Sequence, residues 1–454
     1  MNCHQAKDMM FAYIQGELDP IQAEDLRLHL ESCDACKREL EDAQSVLSAL
    51  QAADDSKVVN LVKGLIQQAI VQKASDIHFE PIRDCLRVRL RVDGVLREAA
   101  TIEKELAPAV ITRIKVIADM NVGERRIPQD GRIPVIHQGR EYDLRVNSIF
   151  TIHGESVVLR ILDKSHRMLG LDKLGMYADQ LETVRSLLHQ PSGLLIAAGP
   201  TGCGKTTALY SMLSEVQNTE IKLLTIEDPV ECEFDGVMQV AVNRRTGLTF
   251  ATAMRAFLRQ DPDIILVGEI RDLEMAELCI GAATTSHLIL SALHAEEAAQ
   301  GLIRLVDMGV EPYLVGASVV GVIAMRLARL ICPDCRELDT SPDPNALRAL
   351  GLPENLSDIA KEEPHGGKLY KGTGCGKCHN TGFRGRTGIF EVLTMDPELA
   401  TLINKRSPLR DLRDHAVAKG MITLIADARR KVLDGVTSAA EAARVTDSLR
   451  AFMS

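Results

Sequence analysis

Nine consecutive residues of this 454-residue chain, Gly199, Pro200, Thr201, Gly202, Cys203, Gly204, Lys205, Thr206 and Thr207, have the composition needed to hold phosphate. Gly199, Gly202 and Gly204 let the backbone curl until successive N–H groups face an anion, and Lys205 adds a full positive charge. Thr206 supplies a hydroxyl suited to magnesium. The apolar run 193–198 before the loop and the helical pattern 207–213 after it give strand, loop and helix in order, so bound phosphates also meet a helix N-terminus. Three further apolar runs deliver chemistry to their ends. Residues 223–226 lead into Glu227 and Asp228, residues 264–267 lead into Gly268 and Glu269, and residues 288–293 are flanked by His287 and His294. Ligands of open α/β sheets gather at strand C-termini, so these groups are expected to converge on the loop. The reaction implied is attack of water on a γ-phosphate, where catalysis is mostly positioning and charge neutralisation. Thr206 and Glu269 would hold magnesium and its waters, Glu227 would orient or deprotonate the attacking water, and His287 is a candidate γ-phosphate sensor. At this level the roles of Glu227 and Glu269 are interchangeable.

A second chemistry rests on thiols. Cys332 and Cys335, then Cys375 and Cys378, form two C-x-x-C knuckles separated by 39 residues, the pattern of a closed tetrahedral zinc site. A redox dithiol is the rival, disfavoured by the matched knuckles and their adjacent glycines. Cys3, His29, Cys33 and Cys36 make another zinc set, in which His4 could replace Cys3. A unit of roughly forty residues rarely builds a sufficient core, and a metal would supply the missing stability. The N-terminus lacks a basic region followed by an apolar core, so a cytoplasmic, reducing location is expected, which also favours zinc over disulfides.

These residues need elements to position them. The chain is long enough for about three domains. A zinc-finger unit is expected over 1–48, with a linker at 54–56. A mixed α/β domain follows over 56–163, and a domain over 175–454 with alternating strands and helices, hence a mainly parallel sheet. The latter carries the thiol element at 330–385 and a helical region at 397–450. Residues 86–92 alternate strictly, placing Arg87, Arg89 and Arg91 on one strand face before a turn at Asp93 and Gly94. That face is either merely solvated or supplies an arginine to a nucleotide. The longest apolar run, 314–325, is about a dozen residues, too short to span a bilayer, and is expected to be a packed helix. A formal net charge of −10 argues against a protein whose main task is binding nucleic acid.

The motifs SDIHFEP (75–81), RRIPQDGR (125–132), GPTGCGKTT (199–207), TIEDPVE (225–231), LRQDPDIILVGEIRD (258–272), TSHLILSALHAEEA (285–298) and GFRGRTGIFE (382–391) together resemble the type II secretion and type IV pilus assembly ATPases, over residues 57–450. Residues 13–18 and 29–40 resemble the zinc finger of anti-sigma factors, an interaction module whose partner here is unknown. The larger resemblance implies a RecA-like P-loop core, a preceding PAS-like domain that packs against a neighbouring catalytic domain, and a homo-hexameric motor. It further implies Arg145 and Arg160 as arginine fingers and Arg255 and Arg259 in an interface network. The expected output is assembly of a pilus or pseudopilus through an inner-membrane platform protein, with the motor cytoplasmic and peripheral to that membrane. The tetracysteine element favours assembly motors over retraction motors, and acidity weighs against DNA transfer. A nucleotide-dependent scaffold acting through the zinc finger is the other-class alternative. The sequence departs from the family pattern at Cys203, where serine is usual, at Ser286 and at Ala295-Glu296-Glu297. Cys203 could make the loop oxidisable, although a steric substitution explains it as well.

Overall fold

The structure, a computed structural model, describes Cys3, Ala6, Met9, Tyr13, Leu18, residues 20–37, Leu40, 55–163, 169–354, Ile359, 368–447 and Leu449. His4 and residues 41–54 lie outside the described residues. The chain divides into two compact units, 1–165 and 166–454.

In the first unit, helix α1 (Pro20–Ser32) contributes Leu26 and Leu30 to a small core with Ala6, Cys36 and Leu40. Helix α2 (Asp55–Val71) begins inside the expected linker. Strands β1 (Ala74–Pro81), β2 (Cys85–Val92) and β3 (Val95–Glu103), helix α3 (Ala107–Ile117), and strands β4 (Gln129–His137), β5 (Arg140–Thr151) and β6 (Gly154–Asp163) complete the unit. The six strands form an antiparallel sheet in the order β3-β2-β1-β6-β5-β4. Leu86, Val88, Leu90 and Val92 are buried with Ile77, Phe79 and the apolar faces of α2 and α3. Arg87, Arg89 and Arg91 lie on the opposite face, as the alternation dictates. Asp93 and Gly94 both have positive φ, the conformation of a tight hairpin turn.

The second unit opens with α4 (Ala178–Leu188), β7 (Gly193–Ala198), α5 (Lys205–Val216), β8 (Leu223–Glu227) and β9 (Met238–Ala241). It continues with α6 (Phe250–Phe257), β10 (Ile264–Val267), α7 (Leu273–Thr285), β11 (Leu288–Leu293), α8 (Ala298–Asp307), α9 (Pro312–Ser318) and β12 (Val319–Ile331). Short strands β13 (Arg336–Leu338) and β14 (Tyr370–Gly372) precede β15 (Phe383–Thr394), with α10 (Pro344–Ala349) between them. Helices α11 (Pro397–Asn404), α12 (Leu409–Ala418), α13 (Leu424–Leu433) and α14 (Ala439–Thr446) close the unit. The main sheet has the order β15-β12-β7-β11-β10-β8-β9 and is parallel except at β15. Every residue of β7, β8, β10 and β11 is buried, as a sheet covered on both faces by crossover helices requires. The α/β class expected from the sequence is borne out.

One expectation is corrected. The run 314–325 is not one helix: α9 ends at Ser318 and the chain continues as β12, next to β7. Val319, Val320, Val322 and Ile323 are β-branched, and packing beside β7 decides what an apolar run alone leaves open.

Candidate functional site

The loop between β7 and α5 turns on three glycines with positive φ. Gly199, Gly202 and Gly204 have φ of 152°, 77° and 98°. A Cβ on Gly199 would stand 2.4 Å from Cys203 Sγ and 2.8 Å from the carbonyl oxygen of Met325, so a side chain is excluded there. Lys205 begins α5 and donates through Nζ to the carbonyls of Gly199 at 2.7 Å and Pro200 at 3.0 Å. Burial pushes its pKa down, and the nearby Glu269 carboxylate is among the charges opposing this. Thr206 and Thr207 are exposed in the first turn of α5. Cys203 is 4% exposed, its Sγ packs against the Gly199 backbone, and burial pushes its thiol up.

Glu227, the last residue of β8, is 4% exposed and accepts hydrogen bonds from three neutral donors. These are the Tyr210 hydroxyl on α5, Thr225 Oγ1 at 2.7 Å and Gln239 Nε2 at 3.3 Å on β9. Burial, then the hydrogen bond to Glu227, holds the Tyr210 phenol well above its ordinary range. Glu269 follows β10, pairs with Arg271 and lies 3.5 Å from Nε2 of His294 at the end of β11. Lys205, Glu227, Glu269 and His294 thus stand at the C-terminal edges of neighbouring strands.

His287 does not join them. The β7–β11 register pairs Leu288 with Gly193, so His287 sits at the opposite edge of the sheet, about 17 Å of strand from the loop. Its Nδ1 lies 3.2 Å from the Ala282 carbonyl, a structural arrangement at the end of α7. Within this chain the imidazole beside the loop is His294, and the sensor expectation moves from His287 to it.

Arg326 escaped the sequence reading. It is 4% exposed on β12, binds the side chain and carbonyl of Glu296, and its charge bears on Cys203 and Lys205. The available signal was an arginine embedded in an apolar run. Its partner explains one departure in Ala295-Glu296-Glu297, and the next residue, Glu297, pairs with Arg413 at 2.8 Å. Buried Glu391 accepts from the amides of Ala298 at 2.7 Å and Leu424 at 3.1 Å, joining the N-termini of α8 and α13, and burial raises its carboxyl to about 7.

Arg145 and Arg160 occur in the first unit, directly opposed on β5 and β6. Arg87 and Arg89 both bind Glu80, whereas Arg160 Nε lies 3.2 Å from Asp76. Arg255 pairs with Glu274 at 2.7 Å, and Arg259 Nη1 donates to the Arg255 carbonyl.

The thiols gather in two sets whose ligand atoms all lie within 4.8 Å of one another: Cys332, Cys335, Cys375 and Cys378, and Cys3, His29, Cys33 and Cys36. In the first set three Sγ–Sγ separations are 3.7, 3.8 and 4.0 Å. A tetrahedron with metal–sulfur bonds of ~2.3 Å has edges of about 3.8 Å, so the geometry fits zinc and is far too open for a disulfide. Burial opposes ionisation of Cys378, but amide donors from Cys375 and Gly382 bring it down to about 6. In the second set Cys3 and Cys33 are 3.9 Å apart, and His29 Nε2 is buried with no hydrogen-bond partner among the described residues, as a ligand nitrogen would be.

A phosphate loop at a strand end, a lysine within it and acids and an imidazole on adjacent strands define a P-loop nucleotide-hydrolysing protein. The Type II/IV secretion system protein family model matches residues 51–444, and the chain belongs to that family and is an ATPase. A putative zinc-finger model matches residues 3–37. The chain is 43% identical over 397 residues to the type II secretion system ATPase E of Vibrio cholerae, covering 87% of this chain and 77% of that protein. It is 41% identical over 402 residues to the type IV pilus assembly ATPase PilB of Myxococcus xanthus, covering 88% and 70%. The fold is similar to the ATPase DotB of Legionella pneumophila, with TM-score 0.60 at 18% identity over 85% of this chain and 94% of that one. Among the described residues no helix is long and apolar enough to cross a membrane.

Proposed function

We propose that this ATPase is a homo-hexameric motor that powers assembly of a type IV pilus or type II secretion pseudopilus, working through an inner-membrane platform protein at the cytoplasmic face. The observation that carries the reading is the grouping of Lys205, Glu269 and His294 at one sheet edge beside Gly199–Thr207. Lys205 and the loop amides bind the β- and γ-phosphates. Thr206 and Glu269 fit magnesium, an exposed hydroxyl and a carboxylate at the loop's edge, and bound magnesium would neutralise charge developing on the phosphates. Glu227, fixed by Tyr210, Thr225 and Gln239, orients water, and His294 senses the γ-phosphate from beside Glu269. Arg145 and Arg160 act as arginine fingers on nucleotide.

Zinc at Cys332, Cys335, Cys375 and Cys378, and at Cys3, His29, Cys33 and Cys36, has a structural role on this reading, and the N-terminal finger binds a separate partner. The four-cysteine element supports assembly over retraction. Lys205→Ala is the test. A strain carrying it in place of the native gene should lose surface pili or secreted protein while the variant accumulates normally, and retention of both would sink the motor reading.

A further inference from the structure

The outer face of the first sheet carries an uneven row of charge. Strand registers place Arg91 opposite Asp76, Asp76 opposite Arg160, Arg160 opposite Arg145 and Arg145 opposite Arg132. Four guanidiniums therefore line five adjacent strands about 4.8 Å apart, and Asp76 is the acid in that row. Like charges directly opposed on neighbouring strands repel, so such a row is arranged for an anionic ligand.

The arginines of this face are not equivalent. Arg87 and Arg89 spend their terminal nitrogens on Glu80, at 3.0 and 2.6 Å. Arg91 gives Nη1 to the Gly94 carbonyl at 3.1 Å, and its Nε lies 3.6 Å from Asp76 Oδ2. Arg160 is held differently: among the described residues its hydrogen bond is from Nε to Asp76 Oδ1, at 3.2 Å, and its side chain is 64% exposed. The Asp76 side chain is 10% exposed, accepts from Ser75 Oγ at 2.8 Å and has Arg91 Nε 3.6 Å from its Oδ2, so neighbours on both sides hold it beside Arg160. A guanidinium held by Nε leaves both Nη groups available for bidentate contact with phosphate.

We propose that Asp76 is a positioning residue for Arg160: it fixes the guanidinium by Nε and so aims its two Nη groups at the nucleotide phosphates. The proposal rests on the reading of Arg160 as an arginine finger. A double-mutant cycle on ATP hydrolysis by the full-length chain tests it. Arg160→Ala should lower kcat by about a hundredfold or more. Asp76→Asn, which keeps the side-chain size, should lower kcat by about tenfold with KM for ATP within about twofold, because aim and not ground-state binding is lost. In the Arg160→Ala background Asp76→Asn should change kcat by less than about twofold. Thermal unfolding midpoints monitor the fold, and should Asp76→Asn not fold, Asp76→Glu, which displaces the carboxylate by one methylene, is carried through the same cycle. Losses that multiply in the double variant, or wild-type turnover in Asp76→Asn, would overturn the proposal alone. Wild-type turnover in Arg160→Ala would overturn the finger reading and this inference with it.

Discussion

Cys203 Sγ occupies the space that a side chain on Gly199 would need, 2.4 Å from the Cβ position. Thiol and glycine are therefore one packing unit at the start of the phosphate loop. Cys203→Ser should keep ATP turnover within about threefold, and Gly199→Ala should abolish nucleotide binding, measured by titration with a fluorescent ATP analogue. The native thiol should resist an aromatic disulfide reagent until the protein unfolds, as burial and its raised pKa require.

The two histidines bordering β11 separate the edges of the sheet. His294→Ala should lower kcat by about tenfold or more through loss of its place beside Glu269. His287→Ala should leave kcat within about threefold, since its ring serves the end of α7. Steady-state hydrolysis by the two variants gives the comparison, and the reverse order of effects would contradict the assignment.

Tyr210→Phe removes a hydroxyl donor from a carboxylate that is 4% exposed. Hydrogen bonds to buried charge are worth about 1.5–3 kcal/mol, so denaturant unfolding should show a loss in that range. Turnover should fall as well, because Glu227 is then fixed by Thr225 and Gln239 without the link to α5.

Glu441 ties α14 to β12 through Arg329 and also pairs within α14 with Arg444, each at 2.7 Å. Burial pushes its carboxyl up, but the two guanidiniums outweigh this and bring it to about 2, below the ordinary 4.5. A depressed carboxylate pKa stabilises the fold above the unfolded value, and that stability is lost as pH falls from 4.5 towards 2. The contribution is at most about 3 kcal/mol before solvent screening. Glu441→Gln should flatten the acid limb of the stability–pH curve, read by chemical denaturation at a series of pH values.

Metal analysis of the purified chain should find two zinc ions. Cys375→Ser and Cys33→Ser should each reduce the content to one, and the first should also lower the unfolding temperature of the ATPase unit. Zinc-independent folding of Cys375→Ser at the native midpoint would remove the structural role.

Much of this was legible in residue order because short-range rules dictated it. Glycine spacing fixes the curl of 199–204, alternation sorts the β2 arginines from its core residues, and C-x-x-C spacing brings the thiols together. What failed depended on partners distant in sequence. An apolar run reads equally as helix or strand, and proximity to β7 made 319–331 a strand. His287 and His294 flank the same strand, and only its direction beside β7 tells which lies near the loop. Arg326 needed Glu296, 30 residues away, to declare itself. The family resemblance supplied Arg145 and Arg160, and the registers of β1, β5 and β6 supplied their neighbours.

Strand β12 passes Met325, whose carbonyl faces Gly199, and ends at Ile331, one residue before Cys332. The nucleotide loop and the cysteine knuckle are thus joined by one strand segment of about 20 Å, paired with β15 in continuous register as far as Arg329. The phosphate loop and the cysteine element therefore share one strand of the main sheet, whose ladder with β15 shifts register between Arg329 and Ile331, just before the first thiol.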